Sequence, residues 1–361
     1  MATTVNRPPA AVRRRLRRSD CSIPGLRRLR RGRGFTLVDA RGERVDDPEV
    51  IERVRVLAIP PAWKEVWICS DPWGHLQATG IDAAGRKQYL YHPRWRERQD
   101  RRKFERMDAF ARSLPQLRRA IARAVADGEP TREAVLACAA RLLDVGLFRV
   151  GSEQYADEDH GIGLATVRKS HVRAVGDHLI FDYPGKGGGR RLHHISDPSI
   201  TGLMETLRRR RGGPPELLAF RTGRSWSRVQ SDDINEYLKR IIGEEFSAKD
   251  FRTWNATVLA AVSLAAEPPA ATKTARKRAA NRAVKAVSAM LGNTPAVARR
   301  SYIDPRVFDR YDSGWTIAGA LDRLEDLDPA ADRDRARLER AVLDLLADDE
   351  SSPALERVET K

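Results

Sequence analysis

Between residues 93 and 103 the hydrophobic pattern of this chain changes, and that change restricts it to two units of different kind. Before the change, short β-like runs alternate with turn chemistry. Residues 35–38, 66–69, 75–78 and 88–91 read as strands. Asp39-Ala-Arg-Gly42, Asp71-Pro-Trp-Gly74 and Asp82-Ala-Ala-Gly85 separate them. Asp can hydrogen-bond its own backbone and Gly accepts positive φ, so these stretches favour tight turns. One helix interrupts the series, with Val50, Ile51, Val54 and Leu57 at helical spacing between Asp47 and Ala58, and Pro60-Pro61 ends it.

After residue 103 the signal is helical. Residues 104–126 are amphipathic, with Pro115 expected to break them. Thr131 caps a helix running to residue 144. Residues 178–183 and 190–195 flank Pro184-Gly-Lys-Gly-Gly-Gly189, which predicts a hairpin with a glycine-rich turn. Further helices are expected at 198–211, at 232–242 with Ser231 as cap and Gly243 as stop, at 249–266, and at 272–291 with Gly292 as stop. Thr294-Pro295 opens another, and 331–348 form the last. The expected class is α+β: a small β-rich N-terminal domain and a mostly α-helical domain with a β-hairpin. The expected boundaries are a basic arm at 1–21, the β-rich domain at 22–95, the helical domain at 96–325 and an acidic helical tail at 326–361.

Charge narrows the partners. The net charge is +16, and residues 1–34 alone carry eleven arginines against one acid. A polyanion, nucleic acid ahead of membrane, is the natural partner. No run of about 18 apolar residues is available for a membrane span, and no apolar segment follows the N-terminal arginines to make a secretory signal. Cys21, Cys69 and Cys138 are distant and odd in number, which fits a reducing compartment, the cytoplasm, and no disulfide frame.

A tyrosine phenol can break a phosphodiester without water. Its reference pKa of about 10 makes it a poor nucleophile at neutral pH. Neighbouring cations lower that pKa and neutralise the non-bridging oxygens, and the departing 5′-oxygen needs a proton. The parts needed are a tyrosine, two arginines, one further donor and an acid; with the charge carried by arginines, no metal or other cofactor is required. Arg252, in Lys249-Asp-Phe-Arg-Thr-Trp254, lies in the first turns of a helix, and also reads as a surface arginine paired with Asp250 or Glu244. Arg149, between Phe148 and Val150, needs a partner if buried: a phosphate, Glu153 or Asp157. Lys186 stands among glycines that permit close backbone approach, and is an acid or a solvated turn residue. Asn293 is a donor or a helix cap. Tyr302, expected on the helix opened by Thr294-Pro295, is a nucleophile or a core aromatic. A continuous helix would separate Asn293 from Tyr302 by about 13 Å, so the helix is bent or interrupted, or Asn293 reaches forward.

The order Arg149, Lys186, Arg252, Asn293, Tyr302 resembles the active site of type IB DNA topoisomerases of the small poxvirus-like and bacterial form. The likeness extends to Phe148-Arg-Val-Gly151 with Tyr155, and to Gly292-Asn-Thr-Pro295 ahead of Ser301-Tyr302. In the N-terminal part it includes Ile59-Pro-Pro-Ala-Trp63, Val66-Trp-Ile-Cys69, Gly74-His-Leu-Gln-Ala-Thr-Gly80, and Gly85-Arg-Lys-Gln-Tyr89 with Tyr91-His92. It covers about residues 22–320. The resemblance implies a C-shaped clamp around double-stranded DNA and ATP-independent relaxation of supercoils by a monomer at the nucleoid. Tyr302 would form a 3′-phosphotyrosyl bond, the free end would swivel, and the strand would be religated. Arg149, Arg252 and Asn293 would hold the phosphate, and Lys186 would protonate the 5′-oxygen. Arg86, Lys87, Gln88, Tyr89, Tyr91 and His92 would contact DNA.

There are two departures. Asn293 stands where poxvirus and nuclear members have a histidine, and no histidine follows His194 in sequence to replace it. The glycine-rich turn lacks the second lysine many relatives have, a place Arg190 or Arg191 can fill. Two rivals remain at this stage: a tyrosine recombinase, which carries a helical core-binding domain in place of the β-rich module, and a non-catalytic DNA-binding protein, which requires neither Tyr302 nor Lys186.

Overall fold

The computed structural model describes residues 15–32, 34–151, 161–176, 178–185, 189–268, 270–322 and 332–357. They form two compact units, Met1–Lys103 and Phe104–Lys361. In the first, β1 (Leu26–Arg31), β2 (Gly34–Val38), β3 (Lys64–Ile68), β4 (Leu76–Ile81) and β5 (Lys87–Tyr91) make an antiparallel sheet of order β2-β1-β3-β4-β5, with α1 (Pro48–Val56) between β2 and β3 in sequence. Asp47 caps α1 by accepting from the Glu49 and Val50 amides, and Pro48 takes its first position. Leu26, Val54, Ile59, Val66, Ile68 and Ala78 form this unit's core.

β1 has no counterpart among the expected strands, because its sequence is Leu-Arg-Arg-Leu-Arg-Arg. Arg28 takes a half-buried position by donating to the carbonyls of Ile59, Pro60 and Trp63 at 2.8–3.0 Å, and its guanidinium lies 4.2 Å from the Phe35 ring centroid. A cation is tolerated there because its donors are satisfied and its stem packs as a hydrocarbon.

The second unit is built mainly from helices. α2 (Pro93–Val125) runs into it as one continuous helix, and Pro115 lies inside without ending it. This corrects the expected break. The proline costs about 3 kcal/mol, but Phe110, Ala111, Leu114 and Leu117 are all buried around it, and each large apolar side chain returns about 1.5–3 kcal/mol. α3 (Arg132–Gly146) follows, capped by the Thr131 hydroxyl. The expected hairpin is present as β7 (His178–Pro184) and β8 (Arg190–Ser196), with β6 (Val172–Val175) added as a third strand on the β7 side.

α4 (Pro198–Arg209) leads to a small hairpin, β9 (Ala219–Thr222) and β10 (Ser225–Arg228), and then to α5 (Ser231–Ile242). Ser231 lies within α5 and is not its cap: Gln230 precedes the helix, and Asp233 accepts from its amide at 2.8 Å. α6 (Ala248–Ala265), α7 (Lys273–Leu291), α8 (Pro295–Ser301), α9 (Pro305–Asp312), β11 (Trp315–Thr316), α10 (Ala318–Leu321), α11 (Asp332–Leu346) and β12 (Glu356–Arg357) complete the chain.

α6 is the axis of this unit. Phe251 and Trp254 are buried on it, and Phe110 of α2 meets Phe251 edge-on at 4.9 Å. Leu338, Ala341, Val342 and Leu345 of α11 belong to the same core. The fully buried Asp144 of α3 binds Arg118 at 2.9 Å, Arg141 at 3.0 Å and Arg335 of α11 at 3.2 Å, and Arg118 also binds Glu339 of α11 at 2.7 Å. Pairing of this kind is what makes buried charge tolerable. It also fixes the α3 end that leads into the site. Among the described residues, no helix is long and apolar enough to cross a membrane.

Candidate active site

A helix C-terminus leaves carbonyls without intrahelical partners. At the end of α7, arginines take them up. Arg252 Nη2 donates to Leu291 O at 2.9 Å, and Arg191 Nη2 to Gly292 O at 2.7 Å. Arg149 Nη2 donates to Asn293 Oδ1 at 2.6 Å and reaches Gly292 O at 3.5 Å. Gly292 makes the stop by adopting the left-handed conformation (φ 59°, ψ 52°), after which the Asn293 amide returns to Ser288 O at 3.0 Å. Asn293 is therefore both the turn residue and a side chain of the cluster.

Three elements bring the arginines together. Arg252 sits one turn inside α6 and is 5% exposed. It is not a surface residue paired with Asp250 or Glu244. Asp250 accepts instead from Arg106 and from the Ser247 amide, both at 2.8 Å. The other end of the Arg252 guanidinium donates from Nη1 to Leu147 O. Leu147 ends α3 in the left-handed region (φ 55°), turning the chain so that Phe148 is buried and Arg149 faces the α7 terminus. Arg191 comes from β8. Its neighbour Arg190 is held by Asp182 on β7, so of the two residues that could stand in for a second lysine only Arg191 joins the cluster. Lys186 lies in the β7–β8 turn, outside the described residues, as do Tyr155, Glu153 and Asp157.

Tyr302 is not on a helix. α8 ends at Ser301, and Tyr302 follows it with φ −132° and ψ −28°. The stop comes only at Tyr302 itself, whose amide still bonds Ala298 O at 3.0 Å, so α8 lies between the Asn293 and Tyr302 backbones. Thr257 on α6 approaches Tyr302 O at 3.4 Å, and the Arg252 guanidinium carbon is 5.2 Å from the Tyr302 ring centroid. Burial alone would raise the phenol pKa, but Arg252, Arg149 and Lys249 outweigh it and hold Tyr302 below its ordinary value. In return, burial and the Arg149 charge push Arg252 down to about 10.

A second phenol and a histidine line a cleft together with Arg149 and Arg252. It is lined by Leu147, Arg149, Tyr183, Arg191, His193 and Arg252 among others, with no carboxylate among the described lining residues. Tyr183 is pushed up to about 12 by burial, despite the same arginines. His193 stacks on Phe148 at 4.2 Å and meets the Tyr183 hydroxyl at 3.2 Å. Burial and Arg191 lower it to about 4, so it is neutral at pH 7. Sequence distance from Asn293 concealed this histidine, and only the β8 register reveals it.

Two donors point to what the cluster lacks. Arg252 Nε and Asn293 Nδ2 are buried with no hydrogen-bond partner among the described residues. Such groups are costly unless a ligand completes them. Cationic and amide donors converging on a carboxylate-free cleft suit an oxyanion. Lys249, three residues before Arg252 on the same helix, adds its charge near Tyr302, and the spacing of one helical turn is its signal in the sequence.

In the N-terminal unit, β5 alternates as an edge strand should. Lys87, Tyr89 and Tyr91 share one exposed face, and the two tyrosine rings lie 6.2 Å apart, 45% and 37% exposed. Arg86 and Gln88 both donate to Asp82 Oδ2 at 2.9 Å, so an internal carboxylate already engages them. His92 stacks on Trp73 at 5.6 Å and accepts from the Arg94 amide at 3.1 Å.

Comparison with known proteins gives concordant findings. Residues 92–324 match the family model of the eukaryotic DNA topoisomerase I catalytic core, and residues 34–82 that of the bacterial DNA topoisomerase IB N-terminal domain. The chain is similar to DNA topoisomerase 1B of Acanthamoeba polyphaga mimivirus, with 31% identity over 262 residues, covering 70% of this chain and 77% of that protein. It is also similar to DNA topoisomerase 1 of Schizosaccharomyces pombe (strain 972 / ATCC 24843), with 26% identity over 160 residues, or 44% of this chain and 19% of that larger protein.

Proposed function

The chain belongs to the type IB DNA topoisomerases, enzymes that relax DNA, and from that premise we propose how its residues carry out the reaction. Tyr302 Oη attacks the scissile phosphorus. The Tyr–O–P bond forms as the P–O5′ bond breaks, leaving a 3′-phosphotyrosyl end. The phenolic proton passes to solvent, and Lys186 gives a proton to the departing 5′-oxygen. The free end swivels, the 5′-hydroxyl attacks the phosphotyrosine and returns its proton to Lys186, the Tyr–O–P bond breaks, and the tyrosine regains a proton from solvent. One phosphodiester is exchanged for another of similar energy, so ATP is not required.

The observation that carries this reading is the carboxylate-free cluster of donors beside a phenol of lowered pKa. Arg149, Arg252 and Asn293 Nδ2 are the donors assigned to the non-bridging oxygens. They are pre-positioned, so no reorganisation is needed as charge develops. Duplex DNA is the substrate, and Lys87, Tyr89 and Tyr91 of β5 are assigned to phosphates, sugars or base edges. Closure of the two units around the duplex as a C-shaped clamp, action as a monomer and work at the nucleoid belong to the same reading.

The test is relaxation of a supercoiled plasmid by sub-stoichiometric enzyme without ATP and with EDTA present. The wild-type chain is expected to relax it fully. Tyr302→Phe is expected to lose relaxation and covalent adducts while binding DNA about as well. A Phe variant that still relaxes plasmid would overturn the assignment.

A further inference from the structure

The α7 terminus holds one guanidinium more than the proposed reaction uses, and the space for it is specifically cleared. Arg191 donates to Gly292 O at 2.7 Å from β8, and its side chain runs between two glycines. A Cβ on Gly185 would stand 2.6 Å from Arg191 Cγ, and one on Gly292 would stand 1.3 Å from Arg191 Nη2. Gly292 also needs its left-handed φ, but Gly185 has no such φ and contributes by lacking a side chain. Arg191 lines the same cleft as Arg149 and Arg252. Beyond the Gly292 carbonyl, its remaining donors have no hydrogen-bond partner among the described residues. Arg190, one position away, is neutralised by Asp182. The amide of Asn293 beside Gly292 can donate but carries no charge.

We infer that Arg191 is a further catalytic residue, a third guanidinium that contacts a non-bridging oxygen of the scissile phosphate and supplies positive charge on the Asn293 side. The inference rests on the reading of the site given above. The Gly292 carbonyl fixes one edge of the guanidinium and leaves the others for the phosphate. Three cations are matched there by the charge that builds on the phosphoryl oxygens, not by a protein carboxylate. Removing such a donor typically costs about 10²–10³-fold in rate.

The experiment is single-turnover cleavage by the full chain on a duplex with one mapped cleavage site, comparing Arg191→Ala and Arg191→Lys with wild type. Melting temperature and DNA affinity are measured alongside, and the Lys variant serves if the Ala variant does not fold. Arg191→Ala is expected to cleave about 10²-fold more slowly, with partial recovery in Arg191→Lys. The defect is expected to vanish on a scissile methylphosphonate, which lacks the charge Arg191 would neutralise. It is expected to persist on a 5′-bridging phosphorothiolate, whose leaving group needs no proton. Full-rate cleavage by Arg191→Ala overturns the inference. So does rescue by the phosphorothiolate but not the methylphosphonate, which would mean that Arg191 acts through the leaving group. Tyr302→Phe run in parallel separates the two levels: if it still forms the adduct, the reading of the site fails, whatever Arg191 does.

Discussion

Two phenols lie among the same arginines, and burial decides between them. Tyr183 is 4% exposed and is pushed up to about 12. Tyr302 is only partly buried, and the arginines win, lowering it. A phenol poised below its ordinary value is the better candidate for attack at neutral pH. The lowered phenol sets a pH expectation. For the free enzyme, kcat/KM of cleavage should rise with pH as Tyr302 loses its proton and level off below about pH 10. A pH–rate profile on a single-site duplex checks this, and a profile still rising above pH 11 contradicts it. At this scale the sequence was only half legible. The types and order of Arg149, Arg252, Asn293 and Tyr302 could be read, but Asn293 looked the same as a cap or as a ligand. In the fold it is both, because the turn that ends α7 presents its Oδ1 to Arg149 and leaves Nδ2 unpartnered.

At the scale of elements, the site is assembled from terminations. α3 ends at Gly146, α7 at Leu291 and α8 at Ser301, and Arg149, Asn293 and Tyr302 follow those ends. The stop at Gly292 and the start at Thr294-Pro295 were legible because glycine and proline announce them. The end of α8 was not: Arg299-Arg-Ser-Tyr302 contains no breaker, and the chain leaves the helix because Thr257 holds both Tyr302 O and the Asp304 amide. Pro115 shows the reverse, a local breaker overridden by packing on both sides. β1 escapes hydrophobic alternation because Leu26 is its one buried apolar residue and the next inward position is Arg28.

β8 carries its own testable burden in His193. Its folded pKa of about 4 lies below the ordinary 6.5. Between those values the unfolded chain binds more protons, so stability rises with pH. The contribution is complete above about pH 6.5 and is lost as pH falls toward 4, on the order of 3 kcal/mol in all. Urea unfolding at pH 4.5 and pH 7 should show a smaller difference for His193→Gln than for wild type. An equal difference in both proteins would mean that His193 does not titrate as its burial implies.

For the whole molecule, a net charge of +16 fits a polyanionic partner, but charge alone would describe any DNA-binding chain. The distinguishing feature is where the unneutralised arginines converge. Elsewhere in the second unit, Arg118 and Arg141 share Asp144, Arg335 and Glu339 tie α11 into the same group, and the buried Arg210 is held by backbone carbonyls. α11 lies beyond the matched residues 92–324, yet it is part of the core that steadies α3. In the cleft of Arg149, Arg191 and Arg252 the described lining residues offer no carboxylate. The most direct test of the central claim is to trap the intact enzyme on a suicide DNA duplex and identify the modified residue by peptide mapping. The account expects one adduct, a 3′-phosphate on Tyr302. An adduct on Tyr183, Tyr155 or any other residue, or cleavage with no covalent intermediate, would contradict it.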